Sequence, residues 1–88
     1  MYHDLDLFIG GTWRAAKDGA TRSVTDPATE AALGTIAMAT EEDIDAALDA
    51  ARAGFDKWRR VGTWDRAALL RRTAEIIRER VDTIATLM

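Results

Sequence analysis

The residues of this 88-residue chain that could do chemistry are carboxylates, arginines and a single histidine. His3 lies close in sequence to Asp4 and Asp6, and these three side chains could ligate a metal ion. A frayed chain terminus is a poor coordination cage, so we predict no metal site there. The chain contains no cysteine, which excludes disulfides, thiolate metal sites and a cysteine nucleophile within it.

Acidic residues are concentrated where a helix is predicted to begin. Thr40 and Asp43 have the spacing of a capping box in which Asp replaces the more common Glu. A carboxylate cluster could bind a cation or form an acid/base pair, but negative charge also stabilises the positive end of a helix dipole. We therefore interpret four residues as features of a helix start and not as a site: Glu41, Glu42, Asp43 and Asp45.

Arginine pairs and tryptophans are the remaining candidates for binding. Arg59-Arg60 and Arg71-Arg72 could hold a phosphate, but acidic residues three and four positions away favour a solvated helix surface. The net charge of −3 argues against nucleic acid or an anionic membrane as a partner. With no basic stripe around them, the tryptophans are interpreted as core or interface residues: Trp13, Trp58 and Trp64.

The beginning of the chain has no targeting signal. Asp4 and Asp6 stand where a secretory signal would have basic residues, and no apolar run approaches the length needed to span a membrane. We therefore predict a cytoplasmic protein with no membrane partner.

A β-hairpin is predicted near the N-terminus. Apolar residues alternate from Leu5 to Ile9, Gly10-Gly11 follows, and Thr12–Arg14 can form the returning strand. A glycine pair can also admit a phosphate, but no third glycine and no helix start follow at the required offsets. The hairpin is therefore favoured.

Two further strands are predicted before the first helix. Thr21–Thr25 is rich in residues that favour strands, and Asp26-Pro27 marks a corner after it. Ala32–Met38 is predicted as the next strand, although Gly34 weakens it. Residues 1–39 are thus predicted to form a hairpin and short strands.

The first helix is predicted to begin at Thr40 and to end at Gly62, where Thr63 caps the next one. Gly54 inside this helix predicts either a close packing contact or a weakened last turn. Apolar residues at helical spacing are predicted to form a buried stripe: Ile44, Ala47, Leu48, Ala51, Phe55 and Trp58.

The second helix is predicted over Thr63–Met88. Arg71 and Glu75 have the spacing of an ion pair on its polar side. No stop signal precedes Met88, so we expect the helix to belong to a longer polypeptide. An apolar seam with alternating spacings of three and four is predicted to meet a core: Ala67, Leu70, Ala74, Ile77, Val81, Ile84 and Met88.

Several segments, in this order, resemble the N-terminal region of the aldehyde dehydrogenase superfamily: Leu7–Trp13, Asp26–Thr29, Ala50–Phe55 with Trp58-Arg59, Asp65–Arg71 and Ile76–Arg80. The family usually has Asn where this chain has Asp26, and either side chain can make the turn bond. Three other segments are most similar to the branch that oxidises succinate semialdehyde: Ala39–Asp45, Phe55–Trp58 and Ile84–Met88.

The resemblance implies an α/β fold and NAD(P)-dependent oxidation of an aldehyde to a carboxylic acid. It implies a cysteine thiolate that attacks the carbonyl and a glutamate that activates water, both in later parts of the family's chain. Some members hold a structural cation partly through carbonyls that correspond to Val24-Thr25, but the remaining ligands would be missing. We therefore assign no catalytic, cofactor-binding or metal-binding residue to this chain, and expect NAD or NADP only in the full-length protein.

The resemblance also implies a domain organisation and partners. Residues 40–88 would be a two-helix segment of an incomplete nucleotide-binding domain, packed against the rest of its own chain in a homo-oligomer. Alone, the 88 residues would expose apolar seams and associate with themselves. The competing hypothesis is a small non-enzymatic helical module for interaction or oligomerisation.

Overall fold

The computed structural model describes residues 4–88, so His3 lies outside the described residues. The chain divides into two compact units, residues 4–55 and residues 56–88. The predicted order of short strands followed by amphipathic helices is confirmed. In chain order the elements are β1 (Leu7–Ile9), β2 (Thr12–Arg14), β3 (Thr21–Thr25), β4 (Ala32–Ala37), α1 (Glu41–Trp58), α2 (Thr63–Glu79) and α3 (Val81–Leu87).

The predicted first hairpin is formed by β1 and β2, which pair antiparallel with Phe8 opposite Trp13. Gly10 and Gly11 have φ angles of 60° and 83°, as the two central residues of a tight hairpin turn require. The rings of Phe8 and Trp13 lie with their centroids 4.9 Å apart. This aromatic pair on neighbouring strands stabilises the same strand register that the turn selects.

A second antiparallel hairpin joins β3 and β4 through the predicted corner at Asp26. The Asp26 carboxylate accepts a hydrogen bond from the Ala28 N–H at 2.8 Å, which is the Asx turn expected of this residue. Leu5 was predicted within the first hairpin, but it forms a parallel bridge beside Ile36 of β4 instead. Strand β4 is therefore paired on both edges, with β3 on one side and with Leu5 on the other.

Helix α1 begins directly after Thr40, as predicted. The Thr40 hydroxyl accepts from the Asp43 N–H at 3.2 Å, and the Asp43 carboxylate accepts from the Thr40 N–H at 2.9 Å. These reciprocal bonds are the predicted capping box. The helix ends at Trp58, four residues before Gly62, and the chain continues as a turn in which the Arg60 N–H donates to the Lys57 carbonyl.

Two details of the second predicted helix are corrected. Thr63 is the first helical residue and not the cap; Gly62 occupies the cap position and supplies no side chain for a capping bond. The single helix predicted over Thr63–Met88 is interrupted at Arg80, whose φ of −110° and ψ of 16° separate α2 from α3. No proline or glycine accounts for this break. None of the helices within residues 4–88 is both long and apolar enough to cross a bilayer.

Gly54 shows neither of the features predicted for it. A Cβ atom built on Gly54 meets no atom within 4 Å among the described residues, and α1 continues for another turn beyond it. A Cβ built on Gly11 also meets nothing within 4 Å, but Gly11 has a left-handed backbone. The two glycines therefore differ in backbone conformation and not in available space.

Replacing each of these glycines with alanine should change stability in opposite directions. Gly54→Ala is expected to stabilise the chain by about 1 kcal/mol through helix propensity. Gly11→Ala is expected to destabilise it by about 1–2 kcal/mol because alanine resists positive φ. Urea unfolding followed by circular dichroism at one low protein concentration measures both. A shift of the same sign in both variants would contradict the proposed cause.

Candidate functional site

Among the side chains of residues 4–88, Asp43 has the most hydrogen bonds that bridge separate segments, and its carboxylate is only 3% exposed. Its Oδ2 accepts from the backbone N–H groups of Lys17 at 3.0 Å and Thr40 at 2.9 Å, and from the Thr40 hydroxyl at 3.0 Å. The Arg14 guanidinium lies 3.6 Å from Oδ1. One carboxylate thus connects the end of β2, the turn before β3 and the start of α1.

These partners also set the acidity of Asp43. The N–H groups of Lys17 and then of Thr40 stabilise the ionised carboxylate and lower the pKa of Asp43, with the Thr40 hydroxyl and Arg14 acting in the same direction against burial. The pKa of Asp4 is lowered in the same way, because the Thr35 N–H donates to its carboxylate at 2.8 Å. A buried, ionised carboxylate that is bonded by its own chain is suited to holding elements together rather than to proton transfer.

Sequence reasoning found half of the Asp43 site. The capping box with Thr40 was predicted from local spacing, whereas the bond to Lys17, 26 residues earlier, was missed. The substitution of the usual Glu by Asp was the available signal, since the shorter side chain keeps its carboxylate close to the helix end and within reach of a neighbouring loop.

The other polar residues singled out in the sequence lie on exposed surfaces. Glu42 pairs with Lys17 at 3.2 Å. Glu75 pairs with Arg72 at 3.2 Å and not with Arg71 as predicted. Arg72 also reaches Glu79 at 3.1 Å. Within residues 4–88, no three His, Cys, Asp or Glu side chains are grouped so that they could hold a metal ion.

The apolar stripe predicted to be buried on α1 is in fact mostly exposed. Leu48 is 60% exposed and Ile44 is 52% exposed. The part of α1 that is partly covered consists of small residues, Ala46, Ala47 and Ala50. A Cβ built on Gly10 would lie 3.9 Å from the Ala50 Cβ, so the hairpin turn approaches the helix on this alanine side.

The seam predicted for the second helix is also largely uncovered. Leu70 of α2 is 66% exposed, and Val81 of α3 is 56% exposed. Ala67 and Ala74 of the same seam are partly covered. Among residues 4–88, Ala16 is the one buried apolar residue. The dominant surface feature of the described chain is therefore apolar helix surface rather than a pocket with polar groups.

Acidification should weaken the contacts of Asp43 and Asp4. Because their pKa values are lower when folded, their stabilisation is complete above the unfolded value of about 3.9 and is lost as pH falls through the folded values. We expect the free energy of unfolding to decrease as the pH is lowered past about 4. Asp43→Asn is expected to lower Tm at pH 7 and to make stability less dependent on pH. Glu42→Gln is the control, since an exposed ion pair contributes little. Equal effects of the two substitutions at pH 7 would contradict the role of Asp43.

Comparison with known proteins places these elements in a larger fold. A profile of the aldehyde dehydrogenase family matches residues 13–88. Aldehyde dehydrogenase 1 of Tanacetum cinerariifolium is 43% identical over 83 residues, which are 92% of this chain and 17% of that protein. Malonate-semialdehyde dehydrogenase 3 of Geobacillus kaustophilus is 37% identical over 84 residues, 96% of this chain and 17% of that protein.

A solved structure agrees with the sequence matches. The aldehyde dehydrogenase of Bacillus cereus aligns with a TM-score of 0.81 and 39% identity, over 88% of this chain and 16% of that one. The chain thus spans about one sixth of the length of the proteins it matches. Its two hairpins and three helices correspond to the N-terminal part of the fold, and the chain belongs to the aldehyde dehydrogenase family.

Proposed function

We propose that this chain is a non-catalytic structural part of an NAD(P)-dependent aldehyde dehydrogenase that oxidises a semialdehyde, with succinate semialdehyde as the preferred substrate. The observation that carries the proposal is the family match over residues 13–88. The semialdehyde class is supported by the 37% identity to a malonate-semialdehyde dehydrogenase and by the resemblance of Ala39–Asp45 to the succinate-semialdehyde branch.

The chemistry of the reaction is assigned to other parts of the protein. Aldehyde oxidation in this family uses a cysteine thiolate, and the present chain has no cysteine. When it is bound, NAD(P) accepts the hydride, and its site must accommodate a pyrophosphate. The N-terminus of α1 does not fit a pyrophosphate, because the Asp43 N–H already donates to the Thr40 hydroxyl and the Asp43 carboxylate lies at the same helix end. Glu41 and Glu42 add further negative charge there.

The role left to the chain is structural. We assign residues 40–88 to an incomplete nucleotide-binding domain, with the rest of the same enzyme as the partner and a homo-oligomer as the assembled form. Exposed apolar side chains on α1, α2 and α3 support this role, since a monomer rarely exposes so many large ones. The alternative of an independent helical module receives no support from the family match.

The substrate proposal is tested on the complete enzyme that contains these residues. The reduction of NAD and of NADP is followed by absorbance with three substrates: succinate semialdehyde, malonate semialdehyde, and an uncharged aldehyde with the same number of carbon atoms as succinate semialdehyde. We expect both semialdehydes to give a higher kcat/KM than the uncharged aldehyde, because a carboxylate on the substrate allows a charge-assisted bond that an uncharged aldehyde cannot make. We expect succinate semialdehyde to give the highest value of the three, in line with the resemblance of Ala39–Asp45 to that branch. A higher kcat/KM for the uncharged aldehyde would refute the semialdehyde class, and no turnover with any of the three would refute the activity.

The non-catalytic role is tested on the 88-residue chain. Adding NAD or NADP is expected to leave its Tm unchanged, because ligand stabilisation requires a site in the folded state. The complete enzyme is the positive control, where a ligand at 100 times its Kd stabilises by about 2.7 kcal/mol. A rise in the Tm of the 88-residue chain that grows with cofactor concentration would show that it binds the cofactor after all.

A further inference from the structure

The outer face of the first hairpin carries an exposed pair of aromatic rings, Phe8 and Trp13, here named the hairpin aromatic pair. Side chains along a strand alternate between two faces. Leu7 and Arg14 lie opposite each other on one face, and the Arg14 guanidinium lies 3.6 Å from the Asp43 carboxylate of α1. Phe8 and Trp13, which also lie opposite each other, are therefore on the face directed away from α1.

The two rings form one continuous aromatic surface. Their centroids are 4.9 Å apart and their planes are inclined by 43°. Phe8 is 59% exposed and Trp13 is 63% exposed, so more than half of each side chain can meet a partner. Within residues 4–88, no basic side chain is stacked on either ring. The face of an aromatic ring attracts a cation, most often the guanidinium group of an arginine, and Trp is the strongest receptor.

The charge around the pair also favours a cation. Residues 4–55 contain ten acidic and four basic side chains, which gives this unit a net charge of −6. The exposed Asp6 lies two residues before Phe8. A basic surface of another molecule is therefore attracted towards the hairpin.

The other unit of the chain has the opposite charge. Residues 56–88 contain five acidic and eight basic side chains, which gives a net charge of +3. Arg72 of α2 is held by Glu75 and Glu79. Arg71 and Arg78 are exposed, and neither side chain forms an ion pair within the described residues. They lie on the same side of α2, two turns and about 10 Å apart.

Small side chains separate these two arginines on the helix surface. Ala67 is four residues before Arg71, and Ala74 lies three residues after Arg71 and four before Arg78. Residues at these spacings are neighbours on a helix. An aromatic ring can therefore approach α2 over an alanine and stack on the guanidinium group beside it.

We propose that the hairpin aromatic pair binds α2 of a second copy of this chain, with the guanidinium group of Arg71 or Arg78 stacked on the rings of Phe8 and Trp13. The contact is heterologous, since one copy supplies the rings and the next copy supplies the arginines. It deepens the homo-oligomer of the proposed function and rests on that part of it.

Charge favours this arrangement over contact between two hairpins. Two hairpin aromatic pairs in contact would bring two units of charge −6 together, whereas the proposed contact joins −6 to +3. The exposed parts of the two rings amount to roughly 200–300 Å². A stable interface needs about 800 Å² from each partner. We therefore expect this contact to be one part of a larger interface in the complete enzyme and to be weak in the 88-residue chain.

Complementation between two variants tests the proposal in the 88-residue chain. Trp13→Leu removes the better receptor ring, and Arg71→Gln with Arg78→Gln removes both arginines. Sedimentation at high protein concentration and low salt is expected to show association weaker by about tenfold for each variant alone. An equimolar mixture of the two variants should regain a 1:1 complex, because one intact contact remains. Phe8→Leu serves if the Trp13 variant does not fold.

A matched control separates stacking from net charge. Arg60→Gln with Arg72→Gln makes the same change in charge within residues 56–88 and is expected to retain the association. Arg71→Lys with Arg78→Lys retains the charge but loses the planar guanidinium group, and is expected to weaken the association.

Disulfide trapping locates the contact directly, because the chain has no cysteine of its own. Ala15→Cys places a thiol directly after β2, and Ala74→Cys places one between the two arginines of α2. A mixture of these single-cysteine chains is expected to cross-link more than ten times faster than a mixture of Ala15→Cys with Asp49→Cys, which lies on α1.

Three results would overturn the proposal. The first is a mixture of the Trp13 and arginine variants that associates no better than either variant alone. The second is equal cross-linking of Ala15→Cys with the cysteines at positions 74 and 49. The third is a loss of Tm in both variants without a change in association, which would assign the contact to a single copy.

The complete enzyme distinguishes this failure from a failure of the proposed function. An enzyme that sediments as a monomer would refute the homo-oligomer itself. A homo-oligomer that dissociates on dilution equally in the parent, the Trp13→Leu variant and the arginine variant would refute only this contact. Neither measurement depends on which aldehyde is oxidised.

Discussion

The carboxylate of Asp43 is the interaction on which the arrangement of residues 4–55 depends. Most globular domains are stabilised by an apolar core, but Ala16 is the only described apolar residue that is buried. It immediately precedes Lys17, whose N–H donates to the Asp43 carboxylate. Backbone donors from two separate segments converge on one ionised group, which lies beside Arg14. Directional polar contacts therefore fix the position of α1 where apolar burial contributes little.

Small and large apolar side chains lie on different sides of α1, in keeping with the near absence of a core within the described residues. Small residues occupy the surface of α1 that the hairpin approaches, while the large apolar residues face away from it. Burial of a Leu or Phe is worth roughly 1.5–3 kcal/mol, so a folded protein with many such residues exposed forgoes a large part of its possible stabilisation. The proposed role as one part of a longer enzyme would supply packing partners for these residues.

Sequence reasoning succeeded where the deciding forces are local. The Gly10-Gly11 turn, the Asx turn at Asp26 and the capping box of Thr40 each depend on bonds within a few residues, and all three are present. It failed where the outcome depends on distant contacts. Helical periodicity correctly located the apolar row of Ile44 and Leu48, but periodicity cannot show which face of a helix finds a partner.

The family resemblance could be read from ordered sequence segments, whereas the end of α2 and the pairing of Leu5 could not. Arg80 has no property that forbids a continuous helix, and the alternating pattern from Leu5 to Ile9 does not reveal that Leu5 pairs with a different strand. The pairing of Leu5 is set by a contact with a distant strand, which overrides the local pattern from which the prediction was made. Nothing among the described residues explains the break at Arg80.

The pairing of Leu5 has a consequence for how the chain avoids aggregation. The Thr35 N–H donates to the Asp4 carboxylate, and the Leu5 N–H donates to the Thr35 carbonyl. The Leu5 carbonyl accepts from the Ala37 N–H. These are the backbone groups through which the free margin of β4 would recruit a foreign strand. Asp4 and Leu5 thus protect this edge of β4, and their removal would expose backbone groups with which a strand of another molecule could pair.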